Sequence, residues 1–332
     1  MRRRTLFLLF ALPVILLTAC QSGDTEEAVN SSMEMPVYFR IPADGGYTTR
    51  AIGDPGDFGD EFTKPTMLYL FVVTVPQTGD PQISNHTVNL TADNWQKTTV
   101  GTETYYEYSN TVKVTLPENI KAEQRKAIRV YAAVSPMTLD NFSAVADEDG
   151  IRNLTADLPD DGHAYQYIRD IYSTPADHTT GTDYYGTVEN PTASNPSVTL
   201  TLYHVAAKID IIWNVATDIQ SSVRLRQVSL YGLRHEACRL FRPMKNTPAA
   251  TNTYCTSVTT DVGSQWLGRH SFYVIPCVQT DMMPLEFHLW QDDDSSTDGF
   301  TQNINIPMTE TIFTPWVRQD ILINGRVKRD EG

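Results

Sequence analysis

The chain has 332 residues, of which 41% are hydrophobic and 20% are charged. This length and composition are typical of a folded protein with one large or two ordinary domains, and they exclude an intrinsically disordered chain. The formal net charge of −14 also excludes nucleic acid and anionic membrane surfaces as favourable partners, because like charges repel.

Residues 1–20 have the three parts of a signal peptide. Three arginines at 2–4 precede an apolar run from Leu6 to Leu17 that only Pro13 interrupts. That run is too short to span a bilayer as a mature helix. It ends in Leu-Thr-Ala-Cys, which is similar to a bacterial lipobox, so we expect cleavage before Cys20 and a lipid on its thiol. The alternative is a plain signal peptide that ends in cysteine.

Residues 21–50 form the next segment, which we interpret as a tether that carries one short strand. The acids directly after Cys20 resemble the signal that sends Bacteroidetes lipoproteins to the outer cell surface, and the alternative is a solvated tether. The β-forming residues of the strand are Val37, Tyr38, Phe39, Arg40 and Ile41, and Pro42 and an Asp-Gly-Gly turn close it.

Arg50 and Ala51 form a candidate proteolytic junction. Trypsin-like proteases cut after arginine because an acidic pocket pairs with the guanidinium, and the flanking Thr and Gly residues leave the backbone accessible. Taken alone, an arginine in such a loop is more often an ordinary solvated residue than a cleavage site.

The rest of the chain is rich in predicted strands. Residues 67–75 are a continuous apolar run, which predicts a buried central strand. A turn or two of helix is expected over 139–146, and a Thr, Gly, Pro and Asn-rich connection over 173–196 marks a domain boundary. The pattern predicts an all-β fold with minor helix in two β-sandwich domains. The other clear predicted strands are 105–108, 111–116, 127–134, 198–202, 206–215, 223–230, 271–275, 285–290, 304–306 and 317–323.

Motifs for enzymatic chemistry are missing from the sequence. There is no phosphate-binding loop, no dinucleotide fingerprint and no G-x-S-x-G elbow. His235-Glu236 begins like a zincin helix, but Arg239 stands where the second histidine ligand belongs. The acids of 292–298 lack the glycine and glutamate positions of an EF-hand, which favours a solvated hairpin tip. We therefore predict no catalytic, cofactor-binding or metal-binding residues and no enzyme.

Three cysteines follow Cys20, and an odd number leaves at least one thiol unpaired. An exported compartment permits a disulfide. If one forms, Cys238 with Cys255 is our first choice, and Cys277 is expected to be a small core residue.

The order of these features resembles that of the FimA/Mfa-type fimbrillins of Bacteroidales, the subunits of type V pili. The resemblance rests on the lipobox at Cys20, the short strand, residues 50–56 (Arg-Ala-Ile-Gly-Asp-Pro-Gly) and the apolar strand from Leu68. Tyr184-Tyr185-Gly186 and residues 200–210 resemble the inter-domain stretch of that family and the first strand of its second domain. The last strand departs from the family pattern, since residues 318–323 lack the usual Arg-Asn and tyrosine.

The resemblance implies two β-sandwich domains of transthyretin-like or Greek-key type, over 51–190 and 191–332. It also implies a lipid-anchored precursor at the outer membrane and cell surface. An arginine-specific protease would cut at Arg50-Ala51 and free strand 37–41, and the exposed groove would lie beside Leu68, Leu70 and Val72.

The expected partners are other pilus subunits that fill the groove by strand addition, through their C-terminal region, and host or bacterial surface glycans or proteins. The alternatives are a tip or accessory subunit, or an anchored surface lipoprotein that binds glycans without polymerising. An exported hydrolase is a third possibility without a site to support it.

Overall fold

The computed structural model describes residues 33–43, 62–139, 142, 145–156, 168–174, 185–214, 217, 223–233, 238–241, 252–257, 267–274, 278–279, 283–291, 300–306, 311–312 and 319–322. These residues form 22 strands and one α-helix, α1 (Glu148–Asn153). Short 3-10 turns occupy Ala92–Asn94 and Ala122–Gln124. The strands in chain order are β1 (Glu34–Pro42), β2 (Met67–Pro76), β3 (Gln82–Asn89), β4 (Trp95–Val100), β5 (Glu103–Tyr108), β6 (Val112–Thr115), β7 (Arg125–Ser135), β8 (Thr155–Ala156), β9 (Tyr172–Ser173), β10 (Gly186–Thr187), β11 (Val198–Thr201), β12 (Tyr203–His204), β13 (Ala207–Asn214), β14 (Val223–Leu233), β15 (Cys238–Arg239), β16 (Asn252–Ser257), β17 (Leu267–Val274), β18 (Val278–Gln279), β19 (Met283–Gln291), β20 (Phe300–Ile306), β21 (Thr311–Ile312) and β22 (Gln319–Leu322).

The first part of the chain builds two sheets around one core. The β1 sheet has the order β11-β1-β5-β4, and β6 also pairs with β1. The β2 sheet has the order β12-β9-β7-β2-β3, and β10 also pairs with β7. Alternating apolar side chains of both sheets meet in a single buried cluster, which makes the pair a β-sandwich.

β2 is buried on both of its faces. Leu68, Leu70 and Val72 point into the core cluster. On the opposite face, the rings of Tyr69 and Phe71 pack against Phe142, with centroid distances of 4.0 and 5.5 Å. A strand covered on both sides must be apolar throughout, which explains why residues 67–75 show no alternation.

A cover of helix and loop lies on the outer face of the β2 sheet. Asp147 is the N-cap of α1, and its carboxylate accepts a hydrogen bond from Gly150 N at 2.7 Å. Ile151 in the helix is fully buried. Glu148 of the helix accepts hydrogen bonds from Arg129 and Tyr131 of β7. The helix is thereby tied to the sheet by side chains that β7 turns away from the core.

The later strands form two further sheets. One has the order β17-β13-β22, and the other has the order β16-β14-β19-β20. Contact with the first part of the chain runs through β15, which pairs with β8, and through Phe241, whose ring lies 6.1 Å from that of Phe71. Phe241, two positions after the end of β15, thus adds to the cover on β2.

The predicted fold class, all-β with minor helix, is confirmed. The prediction of a buried central strand over 67–75 is also confirmed, since β2 lies between β3 and β7. The turn of helix predicted over 139–146 stays a prediction, because residues 140, 141, 143 and 144 lie outside the described residues. α1 is a separate helix after that range, with Asp147 as its N-cap. The domain boundary at residue 190 stays a prediction, and β11 and β12 beyond it pair with strands of the first two sheets.

Candidate functional site

β1 is an internal strand of its sheet, although it comes first among the described strands. On one side, residues 37–40 pair in parallel with residues 198–201 of β11. On the other side, residues 34–37 pair antiparallel with β6 and residues 40–42 with β5. Among the described residues, β1 is the sole strand partner of β11. β1 therefore holds β11 in this sheet.

The side chains of β1 alternate between the core and solvent. Met35, Val37, Phe39 and Ile41 are each at most 1% exposed and belong to the core cluster. On the other face Tyr38 is 40% exposed. β1 therefore fills a groove in the sandwich with a stripe of four apolar side chains.

An aromatic cluster surrounds the central side chain of this stripe. The Phe39 ring stacks on Tyr108 at 5.2 Å and meets the edge of Trp95 at 5.6 Å. Trp95 is fixed in turn, because its Nε1 donates a hydrogen bond to the Pro65 carbonyl at 2.9 Å. The Phe62 ring also packs edge-on against Trp95, with a centroid distance of 5.6 Å. The pocket for Phe39 is thus built from aromatic side chains outside β1, which also contact one another.

Polar side chains surround Arg40 on the outward face of β1. Its Nε donates a hydrogen bond to Thr201 Oγ1 at 3.3 Å, and its guanidinium lies 4.0 Å from the Tyr105 ring centroid. Tyr105 donates a hydrogen bond to Glu103, which together with burial raises the pKa of Tyr105. Burial also raises the pKa of Tyr203 nearby. Arg40 lies within a paired strand, and its side chain contacts Thr201 and Tyr105. It is therefore a poor site for a protease.

The end of the groove where β1 starts contains a buried cation, the guanidinium of Arg125. Leu116 N donates a hydrogen bond to the Met33 carbonyl at 2.9 Å, which extends the β1 ladder by one residue. Arg125 Nη2 lies 2.9 Å from Met33 Sδ, and Arg125 is only 2% exposed. Its Nε and Nη1 have no hydrogen-bond partner in the described part of the chain. Burial lowers the pKa of Arg125, and the charge of Glu123 offsets this only in part.

Comparisons with known proteins find likeness in solved structures only. No protein-family model matches the chain. No curated protein matches it. The chain is similar to a candidate cell adhesion protein from Bacteroides eggerthii, with a TM-score of 0.48 and 12% identity over 89% of this chain and 88% of that one.

Two further similar structures have other descriptions. One is a candidate polysaccharide-binding protein from Bacteroides thetaiotaomicron, with a TM-score of 0.42 and 8% identity over 88% of this chain and 92% of that one. The other is the fimbrial anchor protein Mfa2 from Porphyromonas gingivalis, with a TM-score of 0.34 and 8% identity over 81% and 82% of the two chains. Likenesses at these scores and identities do not place the chain in a family or assign it a function.

The predicted strand 37–41 lies within the longer β1, which begins three residues earlier and ends one residue later. Leu68, Leu70 and Val72 share the core cluster with β1 but lie in the opposite sheet, so they face the strand across the core. The hydrogen-bonding walls of the groove are β11, β5 and β6.

Other predicted positions lie outside the described residues. These are Cys20, Arg50, Ala51, His235, Glu236, Cys277 and the acids of 292–298. Cys238 and Cys255 lie on β15 and β16, and the disulfide between them stays a prediction.

Met33 and Arg125 were not singled out by sequence reasoning. Their contact joins positions 92 residues apart, and no local motif marks it. Among the described residues, no group of three or more His, Cys, Asp or Glu side chains could hold a metal ion. No helix in the described ranges is long and apolar enough to cross a membrane.

Proposed function

We propose that this protein is a structural pilus subunit that is exported as a lipoprotein on Cys20, cut after Arg50 and polymerised by strand exchange. The position of β1 is the observation that supports this proposal most strongly. A strand that is central in its sheet and first among the described strands can be released by a single cut in the segment that follows it. Arg50 lies in that segment, between β1 and β2 along the chain.

Loss of β1 would leave a surface that cannot persist in water. Each of its four buried apolar side chains contributes about 1.5–3 kcal/mol, so the stripe contributes on the order of 10 kcal/mol at most. This is comparable to the roughly 5–15 kcal/mol that stabilises a whole domain. Removal would also leave the facing edges of β11, β5 and β6 without their partner. A replacement strand is therefore strongly favoured.

Proteolysis at Arg50 converts an intramolecular strand into a separate ligand. While β1 is part of the chain, its effective concentration at the groove is very high, and no other strand can compete. After the cut, a strand from a neighbouring subunit can take its place with the same main-chain hydrogen bonds. The donor needs four apolar side chains at alternating positions to fill the stripe.

The donor is a segment from the C-terminal region of a neighbouring subunit. In its own chain, β22 of that region pairs in parallel with β13 through residues 319–322. Donation therefore uses residues beyond β22 or requires β22 to leave this pairing. Assembly of this kind places the mature subunit in a surface fibre, where its exposed faces are available to surface glycans or proteins.

The cut is tested by two substitutions at one position. Arg50→Ala removes the protease site, and we expect polymer ladders on denaturing gels to vanish while the fold is kept. Arg50→Lys retains the charge, so its failure to polymerise would assign the effect to arginine-specific cleavage. Arg40→Lys is the control in the strand itself and should polymerise normally. Ladders that persist in Arg50→Ala would contradict the proposal and favour an anchored lipoprotein.

Release of β1 is tested by a reversible lock. Glu34 and Thr115 pair directly across the β1–β6 ladder and are both exposed, so Glu34→Cys/Thr115→Cys is suited to a disulfide. The oxidised protein should be cut after Arg50 and yet stay monomeric, and reductant should restore polymerisation. The unsubstituted protein with and without reductant is the control. Polymerisation of the oxidised variant would show that β1 does not need to leave.

A further inference from the structure

A β-bulge turns Arg125 toward the core. Val75 pairs with Ala127, but Pro76 pairs with Arg125, so Lys126 is an extra residue on β7. The inward positions of β7 are even-numbered from Ile128 onward, and the extra residue places an odd-numbered side chain on the inner face. Bulges commonly re-aim a side chain in this way. The buried position of Arg125 is thus built into the strand pairing.

The guanidinium at this position is poorly satisfied while β1 is in the groove. A buried unpaired charge is costly, and most buried polar groups have a hydrogen-bond partner. The side-chain contact described for Arg125 is with Met33 Sδ, and a thioether is a weak acceptor. Met33 precedes Arg50, so it leaves with β1 in the proposed function. The Arg125 guanidinium therefore lies beside the first or the last residue of the strand that replaces β1.

We propose that the strand replacing β1 carries an aspartate or glutamate at the position of Met33, where its carboxylate pairs with the Arg125 guanidinium. This inference rests on the proposed function and names the chemistry of its donor. The partner is an alternating apolar strand with one acid at the Arg125 end of the groove. The four apolar side chains of the donor take the places of Met35, Val37, Phe39 and Ile41. Its acid takes the next inward place in the series, which Met33 occupies in the precursor.

The pairing favours the donor over β1. The desolvation of Arg125 is already present in the precursor, so a carboxylate adds a charge-assisted, bidentate pair at the cost of its own desolvation alone. The contact described in the precursor is with the thioether of Met33, directly before β1. The segment of Met33 and β1 therefore fills the groove while it is covalently attached. Once the chain is cut, this segment binds the groove more weakly than the acid-bearing donor strand does.

The test uses the full chain cut after Arg50, with β1 still seated, and labelled peptides of residues 32–43. The peptides are the parent, Met33→Glu, Met33→Gln and Met35→Glu, and exchange is followed by fluorescence anisotropy. We expect Met33→Glu to bind about tenfold tighter than Met33→Gln, as a hydrogen bond to a charged group allows. Met35→Glu places the acid one inward position further along, away from Arg125, and should bind worst.

The same peptides on an Arg125→Met protein provide the matched control. Replacing a buried cation by an apolar side chain of similar length is commonly tolerated. The preference for Met33→Glu over Met33→Gln should disappear while the parent peptide still binds. Equal binding of the two peptides to the unsubstituted protein, or a preference that survives in Arg125→Met, would overturn the inference. If the cut protein takes up no peptide at all, the proposed function fails and the inference fails with it.

A measurement on the uncut chain keeps the inference testable if Arg125→Met does not fold. In that chain Met33→Glu should unfold at a higher denaturant concentration than Met33→Gln. The difference should shrink as the pH falls and the new carboxyl group protonates, because a carboxyl paired with a cation has a lowered pKa in the folded state. A Met33→Glu chain no more stable than Met33→Gln would contradict the pairing.

Discussion

β1 and β2 both contribute alternating apolar side chains to one core, and they do so from opposite sheets. β2 lies between β3 and β7, and its second face is covered by side chains such as Phe142 and Phe241. β1 has strands on both edges as well, but its second face carries the exposed residues Glu34 and Tyr38. Burial in the core is therefore common to both strands. They differ in chain order, since β1 precedes Arg50 and β2 follows it, and the proposed release of β1 depends on that order.

The largest expected effect separates the two strands by their central phenylalanines. Phe39→Ala and Phe71→Ala each remove a fully buried ring and should lower the free energy of unfolding of the uncut chain by about 3–5 kcal/mol. In polymerised protein only Phe71→Ala should still destabilise, because Phe39 has left. Denaturant unfolding of both forms measures this. A polymer that is equally sensitive to both substitutions would mean that β1 remains in place.

A second prediction concerns the close approach of the two sheets next to β1. A Cβ at Gly186 of β10 would clash with Leu200 Cδ2 of β11. Gly186→Ala should therefore cost about 1–3 kcal/mol in the uncut chain, as overpacking does. In a Leu200→Val background the clashing atom is absent, and thermal unfolding should show a smaller cost. An unchanged cost would assign the effect to the backbone of β10.

A third prediction tests the cover over the β2 sheet. Asp147→Ala removes the N-cap of α1 and should destabilise the chain by about 1 kcal/mol. Asp149→Ala is the matched control, since that carboxylate pairs with Arg152 at the surface, where ion pairs contribute little. Chemical denaturation of both variants gives the difference. Equal effects would indicate that the cap does not hold the cover.

The smallest expected effect is a pH dependence at the edge of the β2 sheet. His86 of β3 pairs with Leu70 of β2, and burial lowers its pKa from 6.5. The folded chain then binds fewer protons than the unfolded chain below pH 6.5, so the stabilising contribution is complete above that pH and declines as pH falls. His86→Gln should flatten this part of the stability profile. An identical slope in both proteins would contradict it.

The sequence predicts those strands whose own residues show a clear hydrophobic pattern. The uninterrupted apolar run of 67–75 predicts β2 because both faces are buried. The predicted strand 37–41 starts three residues later than β1, since Glu34 and Pro36 hide the alternation that begins at Met35. β3 was not singled out because an edge strand with a solvated face carries polar residues such as Asn85 and Thr87.

The groove itself depends on pairings between distant parts of the chain. Arg40 and Thr201 hydrogen-bond across 161 positions, and no spacing in the sequence encodes that meeting. The bulge that aims Arg125 inward arises only when Pro76 pairs with it. Such features follow from register, which a single sequence does not reveal.

The N-terminus of the chain in assembled fibres is the measurement that tests strand release most directly. Mass spectrometry of fibres taken from the cell surface should find subunits that begin at Ala51 and contain no peptide from β1 (Glu34–Pro42). Subunits that begin at a lipidated Cys20 and retain β1 would contradict release of the strand, and with it the groove as the site of assembly.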